Sequence, residues 1–426
     1  MNKTENKLVP ELRFPEFLSE EEWEEKPLSK ITDAIFDGTH QTPTYTSTGI
    51  PFFSVENIVS GSKNKFISKE DYYTATVKNK PENGDILITR IGKIGFSTIV
   101  NWNYEFSIYV TLACIKKSKY FNSYFLHSYF QSENYQKEIF SKSLLSAVPC
   151  KINMNELRET KVLLPKQQEQ QKIADCLSTL DEIIIADTEK LETIKSHKKG
   201  LLTELFPIEG TKIPALRFKE FKNDWQEIKL GQVCTYFKGF AFQSKDYISN
   251  GRRIVRVSDM GFDYIKDETN AIYIDENKVE LYNRWKLKKN DLIITTVGSK
   301  PPVYDSLVGR TIVVKSKDEN SLLNQNSVCL RANELIEQKF LNSLFKRNVY
   351  ISFIESIIRG NANQGSIALV DLFEYKFLLP ELKEQQKIAQ CLLEVDNLIT
   401  AQTDKLQQLK DHKKGLMQRL FPQIKA

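Results

Sequence analysis

The stretch from Leu163 to Pro207, LLPKQQEQQKIADCLSTLDEIIIADTEKLETIKSHKKGLLTELFP, returns from Leu378 to Pro422 as LLPELKEQQKIAQCLLEVDNLITAQTDKLQQLKDHKKGLMQRLFP. Aligned without a gap, the copies agree at 26 of 45 positions. In the first copy apolar residues fall at Ile173, Leu177, Leu180, Ile184, Leu191, Ile194, Leu201 and Leu205, alternating steps of four and three. That is the stripe of a coiled coil. The second copy repeats it at Ile388, Leu392, Val395, Ile399, Leu406, Leu409, Leu416 and Leu420. Even the polar interruptions match: Asp187 and Lys198 in one, Gln402 and Lys413 in the other. Forty helical residues make a rod of about 60 Å. Gly200 and Gly415 weaken each helix by roughly 1 kcal/mol near an expected frayed last turn, and Leu-Phe-Pro stops it. Each stripe needs an apolar partner. The nearest is the other copy, which predicts an antiparallel pair; packing of each helix on its own body is the alternative.

The repeat reaches outward from the helices. VPELRFPEF (Val9 to Phe17) recurs as IPALRFKEF (Ile213 to Phe221), and WEEKPLSKI (Trp23 to Ile31) as WQEIKLGQV (Trp225 to Val233). Each half therefore reads as a lead-in segment, a body of about 140 residues and a long helix. The bodies are rich in β-branched and aromatic residues broken by turn signals at Asp37-Gly38, Asn83-Gly84, Asn250-Gly251 and Pro301-Pro302. ILIT (Ile86 to Thr89) and LIIT (Leu292 to Thr295) read as strands, and helices are expected near Tyr120 to Ser141 and Leu335 to Ile358. The fold class is α+β: two bodies separated by two long antiparallel helices, with a pseudo-twofold internal repeat.

With 426 residues, 41% hydrophobic and 27% charged, the chain reads as globular, with room for two to four domains. A net charge of +5 permits a nucleic-acid partner without requiring one. No apolar run reaches the length of a membrane span, and the polar N-terminus does not read as a signal peptide. The six cysteines have no CxxC spacing, which predicts a reduced, cytoplasmic chain.

Internal comparison separates constant from variable surface. GIPFFSVENI (Gly49 to Ile58) aligns with GRRIVRVSDM (Gly251 to Met260): apolar positions persist, while Ile50, Pro51 and Ser54 become Arg252, Arg253 and Arg256. Three arginines around one strand form a candidate patch for phosphates or guanine edges, a solvated face with surface salt bridges being the alternative. GDILITRIGKIG (Gly84 to Gly95) aligns with NDLIITTVGSKP (Asn290 to Pro301), where Arg90 becomes Thr296, Lys93 becomes Ser299 and Lys300 comes next. A strand running into a glycine loop can approach a duplex closely, though a plain turn explains it as well. The loop DGTHQTP supplies Gly38, Thr39, His40 and Thr42, against GFAFQSK near Gly239. His40 taken alone reads as a surface histidine.

Chemistry is sparse. There is no GxxxxGK[ST], no GxGxxG after a strand, no HExxH and no Cys/His cluster at metal spacing, so neither a catalytic nor a metal site is expected. Lys300-Pro301-Pro302-Val303 approaches the methyltransferase motif of a polar residue, Pro-Pro and an aromatic, and fails at both flanks.

The paired LLP…EQQKIA…HKKGLxxxLFP helices, the segments PELRFPEF and PALRFKEF and the run DGTHQTPTYTSTGIPFFSVENI resemble the specificity subunits of type I restriction–modification enzymes, over nearly the whole chain. The resemblance implies a lead-in segment (1–22), a target recognition domain (23–165) and a spacer helix (166–207). It implies the same order again: lead-in (208–224), second target recognition domain (225–380) and second spacer helix (381–426). Each domain would read one half of an asymmetric, interrupted site in double-stranded DNA. The helices would set the gap and dock two methyltransferase (modification) subunits, which restriction subunits join. No cofactor is expected on this chain; S-adenosylmethionine, ATP and magnesium are implied for the partners, in a bacterial cytoplasm. A rod of about 60 Å can hold two readers one helical turn of DNA, roughly 34 Å, apart. A stand-alone DNA-modifying enzyme and a purely structural coiled-coil adaptor are the alternatives.

Overall fold

The structure, a computed structural model, describes residues 8–261, 264–266, 270–299, 308–360 and 364–423. The chain divides into two compact units. One joins the chain up to Glu189 to the segment from Thr403 onward; the other runs Lys190–Gln402. The long helices span Gln167–Glu204 and Leu382–Leu420. Each unit thus holds one body, the start of one helix and the end of the other. The sequence sets the helices apart as regions of their own, whereas the compact units divide both near mid-length.

Both units share one plan. In the first, Glu24–Pro27 pairs antiparallel with Lys161–Leu164, and in the second Gln226–Lys229 pairs with Lys376–Leu379. The central sheet of the first unit has four strands in the order Ile35–Asp37, Leu112–Ile115, Ile86–Thr89, Ser97–Ile99. Its counterpart orders Cys234–Lys238, Ser327–Ala332, Leu292–Thr295, Thr311–Val313. The runs ILIT and LIIT lie inside these sheets with both faces covered, which is why they show no polar alternation. Ile86 and Ile88 face the cluster shared with the helices, and Leu87 faces Phe53, Phe106 and Leu112 on the other side. Leu292 and Ile294 against Ile293 repeat the division. Full burial of such a side chain contributes about 1.5–3 kcal/mol. Asp85 and Asp291 precede these strands and are buried. Asp85 accepts the Glu82 and Lys117 N–H groups and Lys116, and Asp291 holds Arg331 in a two-pronged pair at 2.7 and 2.8 Å. The turn entering each strand needs a left-handed residue, met by Gly84 (φ 91°) in one copy and Asn290 (φ 69°) in the other.

The predicted helical stretches each resolve into two helices: Ser123–Phe130 with Glu133–Ser141, and Gln338–Leu344 with Asn348–Ile357. Ser132 makes the first break, because its hydroxyl caps the second helix through the Tyr135 N–H.

The coiled-coil stripe serves two partners. In the first unit Ile173 and Leu177 join the body core together with Leu416, Met417 and Leu420 from the other helix. In the second unit Ile388, Leu392 and Val395 do so with Ile194, Leu201 and Leu205, while Ile399 packs at the edge. Leu191 and Leu406 are buried, and Leu180 and Ile184 partly so. Pairing between helices and packing on the bodies therefore both occur. Lys413 pairs with Asp181 at 2.5 Å and Lys405 with Asp187 at 2.9 Å, so residue numbers fall on one helix as they rise on the other, the mark of antiparallel pairing. In the second unit Lys198 pairs with Asp396. The matched lysine interruptions are thus one ion pair made once in each unit. The last turns are anchored, not frayed: after Gly200 and Gly415 come buried Leu201, Leu205, Phe206, Leu420 and Phe421.

The lead-in segments close the plan. The Leu12 N–H donates to the Arg419 carbonyl at 2.8 Å, and the Leu216 N–H donates to the Glu204 carbonyl at 2.9 Å. The same contact is made in the first unit by the chain's opening segment and in the second by a covalently continuous one.

One half-buried histidine distinguishes the copies. His127 stands where the second copy has Asn342; its Nδ1 lies 2.9 Å from Ser97 Oγ and its Nε2 2.7 Å from the Gln131 amide nitrogen. The amide is a donor, so Nε2 accepts and the neutral ring carries its proton on Nδ1. Burial, then the Lys413 charge, pushes its pKa down to about 4 against the opposing pull of Asp181. Below its ordinary 6.5 the unfolded chain takes up a proton that the folded chain refuses until about 4. Stability should therefore fall on acidification from pH 6.5 to 4, by at most about 3 kcal/mol. His127→Asn should flatten that part of the profile in urea unfolding; an unchanged slope would place the acid sensitivity elsewhere.

Candidate nucleic-acid interface

The variable loops leave equivalent strand ends in the two units. In the first unit the strand Ile35–Asp37 runs into residues 38–42, laid on the backbone of residues 108–110. Thr39 donates to the Ile108 carbonyl and accepts from the Val110 N–H, both at 3.0 Å. A Cβ on Gly38 would sit 2.0 Å from the Ile108 oxygen, and one on Gly239 1.8 Å from that of Asn324. Both glycines thus belong to the frame, and the residues next to them in the loops differ. His40, 73% exposed, places Nε2 3.0 Å from Asp37 Oδ2, and Thr42 Oγ1 lies 3.1 Å from the Tyr109 hydroxyl. In the second unit Phe240 and Phe242 instead fold inward onto Tyr282, with Trp285 also against Phe240.

Arg90 and Ser54 of the candidate set, like Gly38, are tied into the fold. Arg90 is buried; its Nη1 donates to Asp37 Oδ2 and to the Val110 carbonyl, each at 3.0 Å, and its Nε to the Ile152 carbonyl at 3.3 Å. Burial lowers its pKa, with Asp37 opposing. Arg90 therefore ties three segments together and leaves His40, Thr42 and the exposed Lys93 as the outward groups. Ser54 is buried as the N-cap of the helix Val55–Ser60, with its N–H and hydroxyl both 2.9 Å from Asn57 Oδ1.

The three arginines of the second unit each meet an acid. On the strand Arg252–Val255, Arg252 pairs with Glu276, while Arg253 lies 3.7 Å from buried Asp318 and donates to the Lys266 carbonyl. Arg256 donates to Asp259 through Nε and Nη2 at 3.1 and 2.8 Å, and its backbone N–H donates to Asp259 Oδ2 at 2.9 Å. All three side chains are thus half-buried and placed beside carboxylates of their own unit. Thr296 donates to the Asn326 carbonyl at 2.8 Å, and the Ser299 carbonyl accepts from the Val308 N–H at 3.1 Å. Lys300, with the Pro301-Pro302 turn and Val303, lies outside the described residues.

Asp37 and Tyr109, which hold the loop of the first unit, are not marked by the sequence as site residues. Asp37 is legible there only as a turn residue, and nothing near Tyr109 distinguishes it. Among the described residues no group of three or more His, Cys, Asp or Glu side chains is placed to hold a metal ion. No described helix is long and apolar enough to cross a membrane.

The signature motifs prove to be the frame's own joints. Arg13 of PELRF donates through Nε and Nη2 to Glu169 of EQQKIA at 2.8 and 2.7 Å, and Arg217 of PALRF does the same to Glu384, both at 2.8 Å. Gln170 and Gln385 in turn bind the body backbone: Gln170 accepts from the Asn122 N–H, and Gln385 from the Glu337 N–H. Motif residues therefore lock lead-in, body and helix, and the loops at the strand ends are left free to vary.

Comparison with known proteins agrees with this plan. The family model for the type I restriction modification DNA specificity domain matches twice, over residues 20–196 and 222–411. The putative type I restriction enzyme MjaX specificity subunit of Methanocaldococcus jannaschii is 26% identical over 94% of this chain and 93% of its own. The MjaVIII specificity subunit of the same organism is 26% identical over 61% of each chain, so that match spans less than two thirds of the relative. The crystal structure of a type-I restriction-modification S subunit from M. genitalium aligns with a TM-score of 0.62 at 16% identity, covering 98% of this chain and all of that one. A structure from work on complex assembly and conformational transition of the type I R-M system aligns at 0.56, again with 16% identity, over 94% and 97%. These likenesses show the fold. With the double match covering most of its length, the chain belongs to the family of type I restriction modification DNA specificity domains.

Proposed function

We propose that this chain is the non-catalytic DNA-reading subunit of a type I restriction–modification enzyme. Each unit reads one half of an asymmetric, interrupted site in double-stranded DNA. One observation carries the reading: strands, glycines, clamps and helix ion pairs are built twice alike, while the loops leaving equivalent strand ends carry different side chains. A frame kept constant around two different surfaces is what recognition of two different half-sites requires.

The helices supply the spacing and the docking. Ile183 and Leu398 occupy equivalent positions and are 42% and 58% exposed, a matched apolar mark on each copy. Open space faces Gly200 and Gly415, also equivalent. These features support one methyltransferase subunit per copy, with restriction subunits joining the assembly. S-adenosylmethionine, ATP and magnesium belong to those partners in this scheme, and the complex acts in the bacterial cytoplasm.

Inserting four helical residues between Glu189 and Lys190, and four more between Gln402 and Thr403, adds about 6 Å to each helix. The gap tolerated between half-sites should change by up to about two base pairs, read by mapping methylated sites after assembly with the methyltransferase subunits. An unchanged gap would refute the spacing role. Failure of the assembled complex to bind DNA at all would favour a purely structural adaptor, and DNA modification by the isolated chain a stand-alone enzyme.

A further inference from the structure

The chain from Leu144 to Lys151, LLSAVPCK, belongs to none of the motifs above, yet it sits beside the candidate interface. The Leu144 N–H donates to the Lys151 carbonyl at 2.7 Å and the Lys151 N–H to that of Leu144 at 3.3 Å, which closes a hairpin at its base. Lys151 also bridges to Ile91, and the Gly92 N–H donates to the Cys150 carbonyl at 2.8 Å. The hairpin is therefore fastened to the loop that carries Lys93 and, through Arg90, to the loop of His40 and Thr42. Its tip exposes apolar side chains: Leu145 and Val148 are 57% and 100% exposed, and Leu144 at the base is 47% exposed. Around it Lys93, Lys142 and Lys151 carry no ion pair among the described residues.

The second unit builds the same base. Arg359 and Ser366 exchange backbone hydrogen bonds of 2.9 and 2.8 Å, and Val297–Gly298 pairs with Gly365–Ser366. Between those ends the sequence reads GNANQG, polar where the first copy reads LSAVPC. The base is thus constant and the sequence it encloses differs, with residues 361–363 of the second copy lying outside the described residues.

We propose that residues 144–151 form an apolar finger that enters a groove of the DNA duplex, with Leu145 and Val148 against base edges and Lys93, Lys142 and Lys151 on the flanking phosphates. The inference rests on the DNA-reading function above and adds a specificity element to the first unit. An exposed apolar tip with lysines at its base and on the adjoining loop suits a groove floored with thymine methyls and walled by phosphates. A protein partner would have to offer a concave apolar site with an acidic rim. The DNA reading uses both features of the finger with one ligand already required nearby.

The test uses the full chain assembled with its methyltransferase subunits, a duplex carrying the mapped site and a random duplex of equal length. Leu145→Asn with Val148→Asn should weaken the specific duplex about tenfold or more. It should leave the random duplex nearly unchanged and relax base preference only in the half-site of the first unit. Lys93→Gln, Lys142→Gln and Lys151→Gln together should weaken both duplexes and lower the salt slope by about three. Val148→Ser, at the fully exposed position, repeats the first test with no burden on folding. Wild-type affinity and an unchanged methylation map in the apolar variants would overturn the finger, as would normal DNA binding with loss of a partner subunit. A wild-type complex that does not separate specific from random DNA would instead remove the specificity reading beneath it.

Discussion

Replacing Glu169 by Leu should cost the first unit about 3–5 kcal/mol, because it strands a buried guanidinium. The side chains of Arg13 and Glu169 are 4% and 1% exposed, and the pair is two-pronged. Arg13 also donates to the Glu20 and Glu21 carbonyls, which remain in the variant but do not neutralise the charge. A double replacement, Arg13→Met with Glu169→Leu, should recover most of the loss, since apolar groups of similar volume need no counter-charge. Glu384→Leu should repeat the result in the second unit, where Arg217 has the same geometry. Urea unfolding of these variants measures the coupling directly. A single-variant cost below about 1 kcal/mol would mean that water reaches the pair and that the clamp is ornamental.

The second large effect is expected at the phenylalanine of each Leu-Phe-Pro. Phe421 is fully buried with its ring centroid 6.2 Å from Trp23, 5.8 Å from Phe125 and 5.6 Å from Tyr129. Phe206 meets Trp225 at 6.0 Å and Phe340 at 5.3 Å, with the Arg347 guanidinium over its ring at 4.7 Å. Truncation to Ala removes the ring and leaves a cavity, at a cost of about 3–5 kcal/mol in each case. Phe421→Ala should loosen the first unit and Phe206→Ala the second, with hydrogen exchange showing which strands lose protection. Equal loosening of both units by either variant would contradict the division into separately packed cores.

These residues show where the sequence is legible and where it is not. The helices can be read because periodicity is local: every stripe position is fixed by its neighbours three and four residues away. The tripeptide Leu-Phe-Pro reads as a stop, since the proline is a local signal, while the aromatic partners of its phenylalanine come from distant parts of the chain. The lysines at 198 and 413 read as flaws in the stripe, and only the antiparallel register brings Asp396 and Asp181 to them. The same limit acts on the site. Arg252, Arg253 and Arg256 look like a cationic patch along the strand, but Glu276 and Asp318 arrive through the fold from 24 and 65 residues away. The carboxylate beside Arg90, that of Asp37, likewise lies 53 residues off. Duplication helps most where both copies agree, and it marks variable positions without saying which of them face outward.

The central claim is that each body reads its own half-site inside a shared frame, and exchange of one body tests it most directly. Residues 23–165 are replaced by a second copy of residues 225–380, and the chain is assembled with its methyltransferase subunits. Methylated positions are then mapped across genomic DNA. The asymmetric site is predicted to become a two-fold symmetric one, built from two copies of the half-site read by the second unit. A site that stays asymmetric, or one that keeps the original first half, would contradict the claim.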